Sequence, residues 1–256
     1  MSLNEPMKIF LIFFSLLTSL QAVASVMVIS DLDDTIKITE AGEAEDILGD
    51  KVYSGMPEFL KEIKAYAPKL FILSASPSIL RKKIESTLKK KGIRHVGLIL
   101  RRNIFEDKFN YKVRKIKKIL DSSTDEVILI GDDLGKDPEV FQEIKRLYST
   151  RILGSYIHVV KKRTIPVGSI KYWTSFDLAL REFSYYRMTA NSVERIFRLL
   201  ALESNLELIF PRKADCPTLA STWEWQAQTI FMQDAIRLSE RLTRFCQARQ
   251  SDNIVF

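Results

Sequence analysis

This chain is short of the residues that most often announce a site. Its 256 residues include two cysteines, two histidines, nine glycines and eight prolines. No Cys/His spacing of the zinc type exists. Neither His95 nor His158 stands in a recognisable constellation with Ser, Cys or another His. Zinc-cluster and His-centred chemistry are thereby set aside, and both histidines read as structural. No internal repeat or low-complexity tract occurs, which sets aside solenoid and fibrous architectures. Disorder is excluded as well, because hydrophobic residues make up 46% of the chain and can bury a core. The length suits one large domain, or one domain with an appendage.

One long apolar run stands out, and it lies at the start. Lys8 precedes "IFLIFFSLLTSL", and "QAVAS" follows, with Ala22 and Ala24 as a small-x-small cleavage signal before Ser25. Residues 1–24 read as a secretory signal peptide, with translation starting at Met1 or Met7. The expected location is therefore outside the cytoplasm, periplasmic or secreted. The alternative is an N-terminal membrane anchor, since residues 9–29 reach the roughly 20 residues a spanning helix needs. In an oxidising compartment Cys216 and Cys246 would pair; the alternative is two separate buried thiols.

Charge is abundant but unevenly spread. The net charge is +7. Residues 31–50 carry eight acids and one lysine, whereas residues 81–118 carry fifteen Lys or Arg and three acids. Basic faces favour anionic partners such as lipid headgroups, nucleic acid or phosphorylated substrates, although solvated helix faces explain them equally.

From Val26 onward, short apolar runs alternate with amphipathic stretches. Strands are predicted at Val26–Ser30, at "KLFILSAS" from Lys69, at "VGLILR" from Val96, at "EVILIGD" from Glu126 and at "SYIHVV" from Ser155. Between them the 3.6-residue spacing predicts helices from Met56, from Pro77 to a stop at Gly92, from Tyr111 and from Asp137. Such alternation predicts an α/β fold, a three-layer doubly wound parallel sheet over residues 25–167. After the basic linker "KKRTIPVG", residues 168–256 read as a helical extension. Helices are expected from Ser175, from Asn191 and from Ser221, where Ser221 and Glu224 form a capping box.

In doubly wound sheets ligands bind beyond the carboxyl ends of the strands. Asp31 and Asp33 in "SDLDDTIK", Ser74 in "SASP" and Asp132 and Asp133 in "GDDLGKDPE" all fall on that edge. Clustered carboxylates repel one another, and a divalent cation relieves the repulsion; hard oxygen ligands suit magnesium. The metal is expected at Asp31, Asp132 and the Asp33 backbone carbonyl. One carboxylate can then attack phosphorus while the other handles protons. Asp34 reads as a surface or turn residue. Ser74 can donate to a phosphate oxygen, and Ser76 reads as the cap of the Pro77 helix. On a helical wheel Lys112 lies about 50° from the centre of the apolar face, so it points partly inward, unlike its neighbouring cations. Asp137 before Pro138 reads as an N-cap or a supporting residue.

In that order these motifs resemble the haloacid dehalogenase-like superfamily, and more closely the catalytic domain of the actin-patch-type phosphatidate phosphatase family, over about residues 26–160. Departures from that pattern are Asp133 in place of Ser, Tyr111 in place of His, and no aromatic after the Pro of "SASP". The resemblance implies Asp31 as nucleophile, Asp33 as acid/base, Ser74 and Lys112 as phosphate holders, and Asp132 as the Mg²⁺ ligand. Thr35, Asp133 and Asp137 would support them.

The gaps from Thr35 to Gly55 and from the third strand to the Lys112 helix hold no folded cap domain, so the site is expected to admit large substrates. The expected function is an exported magnesium phosphatase acting on phosphatidate or another large membrane-associated phosphomonoester, with the basic face against an anionic membrane. The alternatives are a nucleotide or polynucleotide-end phosphatase and a noncatalytic module binding anionic lipid or an envelope partner.

Overall fold

The computed structural model describes residues 25–39, 49–161, 163–212, 214 and 230–252, with the side chains of the last three left aside. Six strands form one sheet: β1 (Val26–Ser30), β2 (Lys69–Pro77), β3 (Gly97–Arg101), β4 (Glu126–Asp132), β5 (Ile152–His158) and β6 (Ile170–Tyr172). Their order is β3-β2-β1-β4-β5-β6, and every pairing is parallel. The chain moves outward from β1 in one direction, then returns to β4 and moves the other way. That reversal places a crevice at the carboxyl ends of β1 and β4.

Side chains along a strand alternate between faces, and here both faces are apolar. Val26 and Val28 of β1, with Ile128 and Ile130 of β4, enter one core. Met27 and Ile29, with Val127 and Leu129, enter the other. Seven helices of more than one turn cover these faces among the described residues: α1 (Met56–Glu62), α2 (Arg81–Lys90), α3 (Lys108–Asp121), α4 (Asp137–Leu147), α5 (Ser175–Ser184), α6 (Ala190–Leu202) and α7 (Met232–Asp252). Ile116, Ile119 and Leu120 of α3 and Val140, Phe141 and Ile144 of α4 fill the second core. The first core takes apolar residues from α1, α2, α5, α6 and α7. The expected three-layer doubly wound sheet is therefore present.

The differences from the sequence reading are local. Ile170–Tyr172, expected within the helical extension, forms the edge strand β6. The C-terminal helices pack on the same core as β1: Phe176, Ile196, Leu200, Leu238 and Leu242 are all buried there. Glu182 of α5 is fully buried; it accepts a hydrogen bond from Tyr156 of β5 and pairs with Arg187 at 2.6 Å. α2 stops where predicted, at Gly92 with φ +70°. α3 begins three residues before Tyr111, because Asp107 caps it by accepting from the Asn110 N–H. Cys246 is buried on α7; Cys216, residues 1–24 and the Ser221–Glu224 capping box lie outside the described residues. No described helix is long and apolar enough to cross a membrane.

Candidate active site

Asp31 leaves β1 at the crevice. Its N–H donates to the Ile130 carbonyl at 2.8 Å, so β1–β4 pairing continues past the strand and fixes this backbone. The carboxylate is buried, and its Oδ2 lies 2.9 Å from Lys112 Nζ. Lys112 sits one turn into α3, is itself buried and also bonds Asp137 Oδ1. Asp132 ends β4; its Oδ1 accepts from the N–H groups of Leu134 at 2.8 Å and Gly135 at 2.9 Å. Asp137 opens α4, and its Oδ2 accepts from the Asp132 N–H at 3.3 Å. One carboxylate oxygen from each of Asp31, Asp132 and Asp137 lies within 4.8 Å of the other two.

These groups set one another's charge. Burial raises the Asp31 carboxyl well above its ordinary range, Asp137 adds to the effect, and Lys112 opposes it. Asp132 is raised for the same two reasons, burial first and Asp137 second. Burial works against the Lys112 ammonium, but Asp137, then Asp31 and Asp132, outweigh it and raise its pKa. Three buried carboxylates therefore face a single buried ammonium. Asp31 Oδ1 is buried with no hydrogen-bond partner among the described residues. A lone buried carboxylate oxygen costs free energy unless something satisfies it. A hard divalent cation fits such an all-oxygen set and its excess of negative charge.

The other expected residues take up different tasks. Asp33 Oδ2 accepts from Ser74 Oγ and Ser76 Oγ, each at 2.7 Å. The Asp33 carboxylate is thus outside the three-carboxylate cluster. The Ser74 hydroxyl, fully buried, is turned to Asp33 rather than to open space in the cleft. Ser76 is not a helix cap: Pro77 precedes a short 3₁₀ turn, and the Ser76 hydroxyl serves Asp33. Nor does Asp137 cap α4. Lys136 occupies the cap position, which leaves the Asp137 carboxylate to Lys112 and Asp132.

Asp34 is a turn residue, as expected, but a buried one, at φ +56°. It accepts from Thr39 N–H at 2.9 Å and Thr39 Oγ1 at 2.7 Å. Thr35 Oγ1 approaches Asp132 Oδ2 at 3.4 Å. Asp133 points elsewhere; it accepts from the N–H groups of Val160 at 2.8 Å and Lys161 at 2.7 Å, tying β4 to the segment after β5.

Two contributors were not legible as site residues in the sequence. His158 ends β5, and its Nδ1 lies 2.7 Å from the Asp34 carbonyl. Its place on the carboxyl edge was the available signal. Gly131 is the other: a Cβ there would lie 2.4 Å from Asp137 Oδ2, so the approach of α4 to β4 needs glycine. Above these residues opens a cleft of about 540 Å³, lined by Asp31, Asp33, Lys112 and Asp132 and rimmed by Arg101, Lys108 and Lys136.

A buried carboxylate paired with a lysine and flanked by further carboxylates stands at the switch point of a doubly wound parallel sheet, an arrangement suited to holding a divalent cation beside a phosphate group. Residues 26–159 match the family described as "Phosphatidate phosphatase APP1, catalytic domain". The chain belongs to that family, whose printed name is that of a phosphatase. Two solved structures are similar at a distance. "Structure of Pnkp1/Rnl/Hen1 complex" has 21% identity and a TM-score of 0.40, covering 53% of this chain and 48% of that one. The class C acid phosphatase from Bacillus anthracis with tungstate bound has 12% identity and a TM-score of 0.36, covering 77% and 86%. The chain spans about half the length of the first of these. No curated protein sequence matches it.

Proposed function

We propose that this protein is an exported, Mg²⁺-dependent phosphatidate phosphatase that forms an aspartyl phosphate on Asp31. The observation that carries this reading is the state of Asp31: one oxygen is ion-paired to Lys112, and the other is buried without a partner. An oxygen so placed is available to a metal ion or to phosphorus. The family's printed substrate, phosphatidate, supplies the phosphomonoester.

In the first step an Asp31 oxygen bonds phosphorus, and the P–O bond to the lipid alcohol breaks. Asp33, protonated, gives the departing alkoxide its proton. In the second step water attacks phosphorus and passes a proton to Asp33. The bond from phosphorus to Asp31 then breaks and releases phosphate. One water is consumed, and both carboxylates return to their starting states. Ser74 and Ser76 hold the Asp33 carboxylate by two hydrogen bonds. Lys112 holds Asp31 and offers positive charge to the phosphate; Ser74 would join it by turning its hydroxyl from Asp33. Asp31, Asp132 and Asp137 would hold Mg²⁺, together with the Asp33 backbone carbonyl. When bound, the ion neutralises phosphate charge.

The open cleft and the lack of room for a folded cap at either insertion point support a large substrate. Cleavage before Ser25 would deliver the chain to the far side of a membrane. Phosphate release from phosphatidate dispersed in detergent micelles with Mg²⁺ is the decisive assay. Turnover should vanish in Asp31→Asn, and no release by the unaltered protein under any divalent metal would refute the proposal.

A further inference from the structure

Four of the fifteen exposed large apolar side chains among the described residues stand on the edge that carries the active site, close to the crevice. Phe105 is 90% exposed and Ile104 54%, on the loop joining β3 to α3. Ile79 is 88% exposed on the 3₁₀ turn after β2, and Leu134 is 39% exposed after β4. All three segments border the cleft: Pro77 and Leu80, Arg101 and Lys108, and Leu134 itself are among its lining residues. Isolated exposed apolar residues need no explanation, but a group around one opening does.

The β3–α3 loop is built to present Phe105. Arg101 donates to the Glu106 carbonyl at 2.9 Å, and the Glu106 carboxylate is held by Arg114 at 2.6 Å. Asn103 accepts from the Phe105 N–H at 3.0 Å. Asp107, the remaining acid of the loop, is occupied as the α3 cap. A loop tied at both ends by side chains, with an aromatic at its tip, is ordered rather than frayed. Exposed cations alternate with the apolar residues: Arg102 and Lys108 flank Phe105, and Lys136 follows Leu134. Apolar tips interleaved with cations match an anionic bilayer, whose headgroups meet the cations while the tips enter the acyl boundary.

We infer that this rim is a membrane-docking surface, with Phe105 and Ile79 as its apolar anchors and Arg102, Lys108 and Lys136 as its headgroup contacts. The inference rests on the phosphatidate reading, since docking in this pose turns the cleft toward lipid headgroups. It differs from docking through the basic helix faces, because it brings the mouth of the site itself against the bilayer.

The test uses the full chain with tryptophan at position 105, and a control with tryptophan at Val96. Val96 is 57% exposed but lies just before β3, at the opposite edge of the sheet. Each is mixed with phosphatidylglycerol vesicles carrying brominated acyl chains; this lipid has no phosphomonoester, so binding is read without turnover. With the native tryptophans subtracted, Phe105→Trp emission should shift to the blue and be quenched several-fold more than that of Val96→Trp. The readout reports which edge faces the lipid, whatever residues 1–24 contribute to attachment.

A companion variant, Phe105→Ser with Ile79→Ser, should bind the vesicles at least about tenfold more weakly. It should retain turnover of a soluble aryl phosphate. Equal quenching at both positions, or none, overturns the inference, as does unchanged binding by the double variant. A response at position 105 to an oligonucleotide but not to vesicles also overturns it and identifies a nucleic-acid surface. Phosphatidate hydrolysis in micelles alongside failed docking leaves the proposed function standing. Docking without hydrolysis refutes the function alone.

Discussion

Lys112 Nζ bridges two carboxylates from different parts of the chain, lying 2.9 Å from Asp31 Oδ2 and bonding Asp137 Oδ1. Removing it leaves both acids buried without their cation. Lys112→Met should therefore cost about 3–5 kcal/mol of stability, as expected for one partner of a buried ion pair. Urea unfolding would measure it. Phosphatase activity should fall in parallel, and Lys112→Arg should not restore it, because a planar guanidinium does not fit where a point charge serves two oxygens. Full activity in either variant would remove Lys112 from the mechanism.

Asp33 is expected to protonate an alkoxide and later to accept a proton from water. Its loss should depend on the leaving group. Asp33→Asn should slow hydrolysis of alkyl phosphates by about 10²–10⁴. An aryl phosphate, whose leaving group needs no proton, should still react once per enzyme molecule. The signature is a stoichiometric burst of phenol followed by slow turnover, seen by stopped-flow absorbance. Equal loss on both substrates without a burst argues against the assignment.

The Asp31, Asp132 and Asp137 cluster predicts coupling between metal and stability. Magnesium at about 100 times its dissociation constant should stabilise the fold by about 2.7 kcal/mol. Calorimetric unfolding with and without chelator would show it. Asp137→Asn should weaken this response without abolishing the fold. An unchanged melting temperature in the unaltered protein would show that the cluster holds no ion.

His158 is buried between Tyr53 and Tyr172, with ring centroids 4.6 and 4.8 Å away. Burial lowers its pKa from 6.5 to about 4. In the unfolded chain it takes up a proton as pH falls through about 6.5, whereas the folded protein resists until about 4. Between these values the unfolded state binds more protons, so this contribution to stability falls as the pH falls. The full penalty is about 3 kcal/mol. Asp31 and Asp132 act in the opposite direction, because their raised pKa values let the folded state bind protons first. The effect should therefore be read as a difference: unfolding at pH 7.5 and pH 5 in the unaltered protein against His158→Asn. The same pH response in both would remove His158 as its source.

The proposed export predicts a specific N-terminus. Mass spectrometry of the protein from its native cell should find Ser25 as the first residue. An intact Met1 or Met7 would replace the cleaved leader with a retained one.

The core strands were readable because they are continuous apolar runs, and VMVIS and EVILIGD need no further context. β6 was not, since Ile170–Tyr172 is too short to show a period and depends on its pairing with β5. Asp31, Lys112 and Asp132 could be named from strand ends and an inward helical angle. Asp137 was harder: an Asp before Pro carries a strong capping signal, and only folding shows that Lys136 takes that place. The roles of Ser76 and His158 were hidden for the same reason. Each depends on a hydrogen bond across the sheet edge, to Asp33 and to the Asp34 carbonyl.

Gly131 carries no reactive group, yet a methyl added there would occupy the space of the Asp137 carboxylate, 2.4 Å from its Oδ2. An alanine at that position would act as a chemical lesion while leaving every ionisable side chain in the chain unaltered. In any descendant of this protein, hydrolytic competence and the bareness of one β4 position would have to be inherited together.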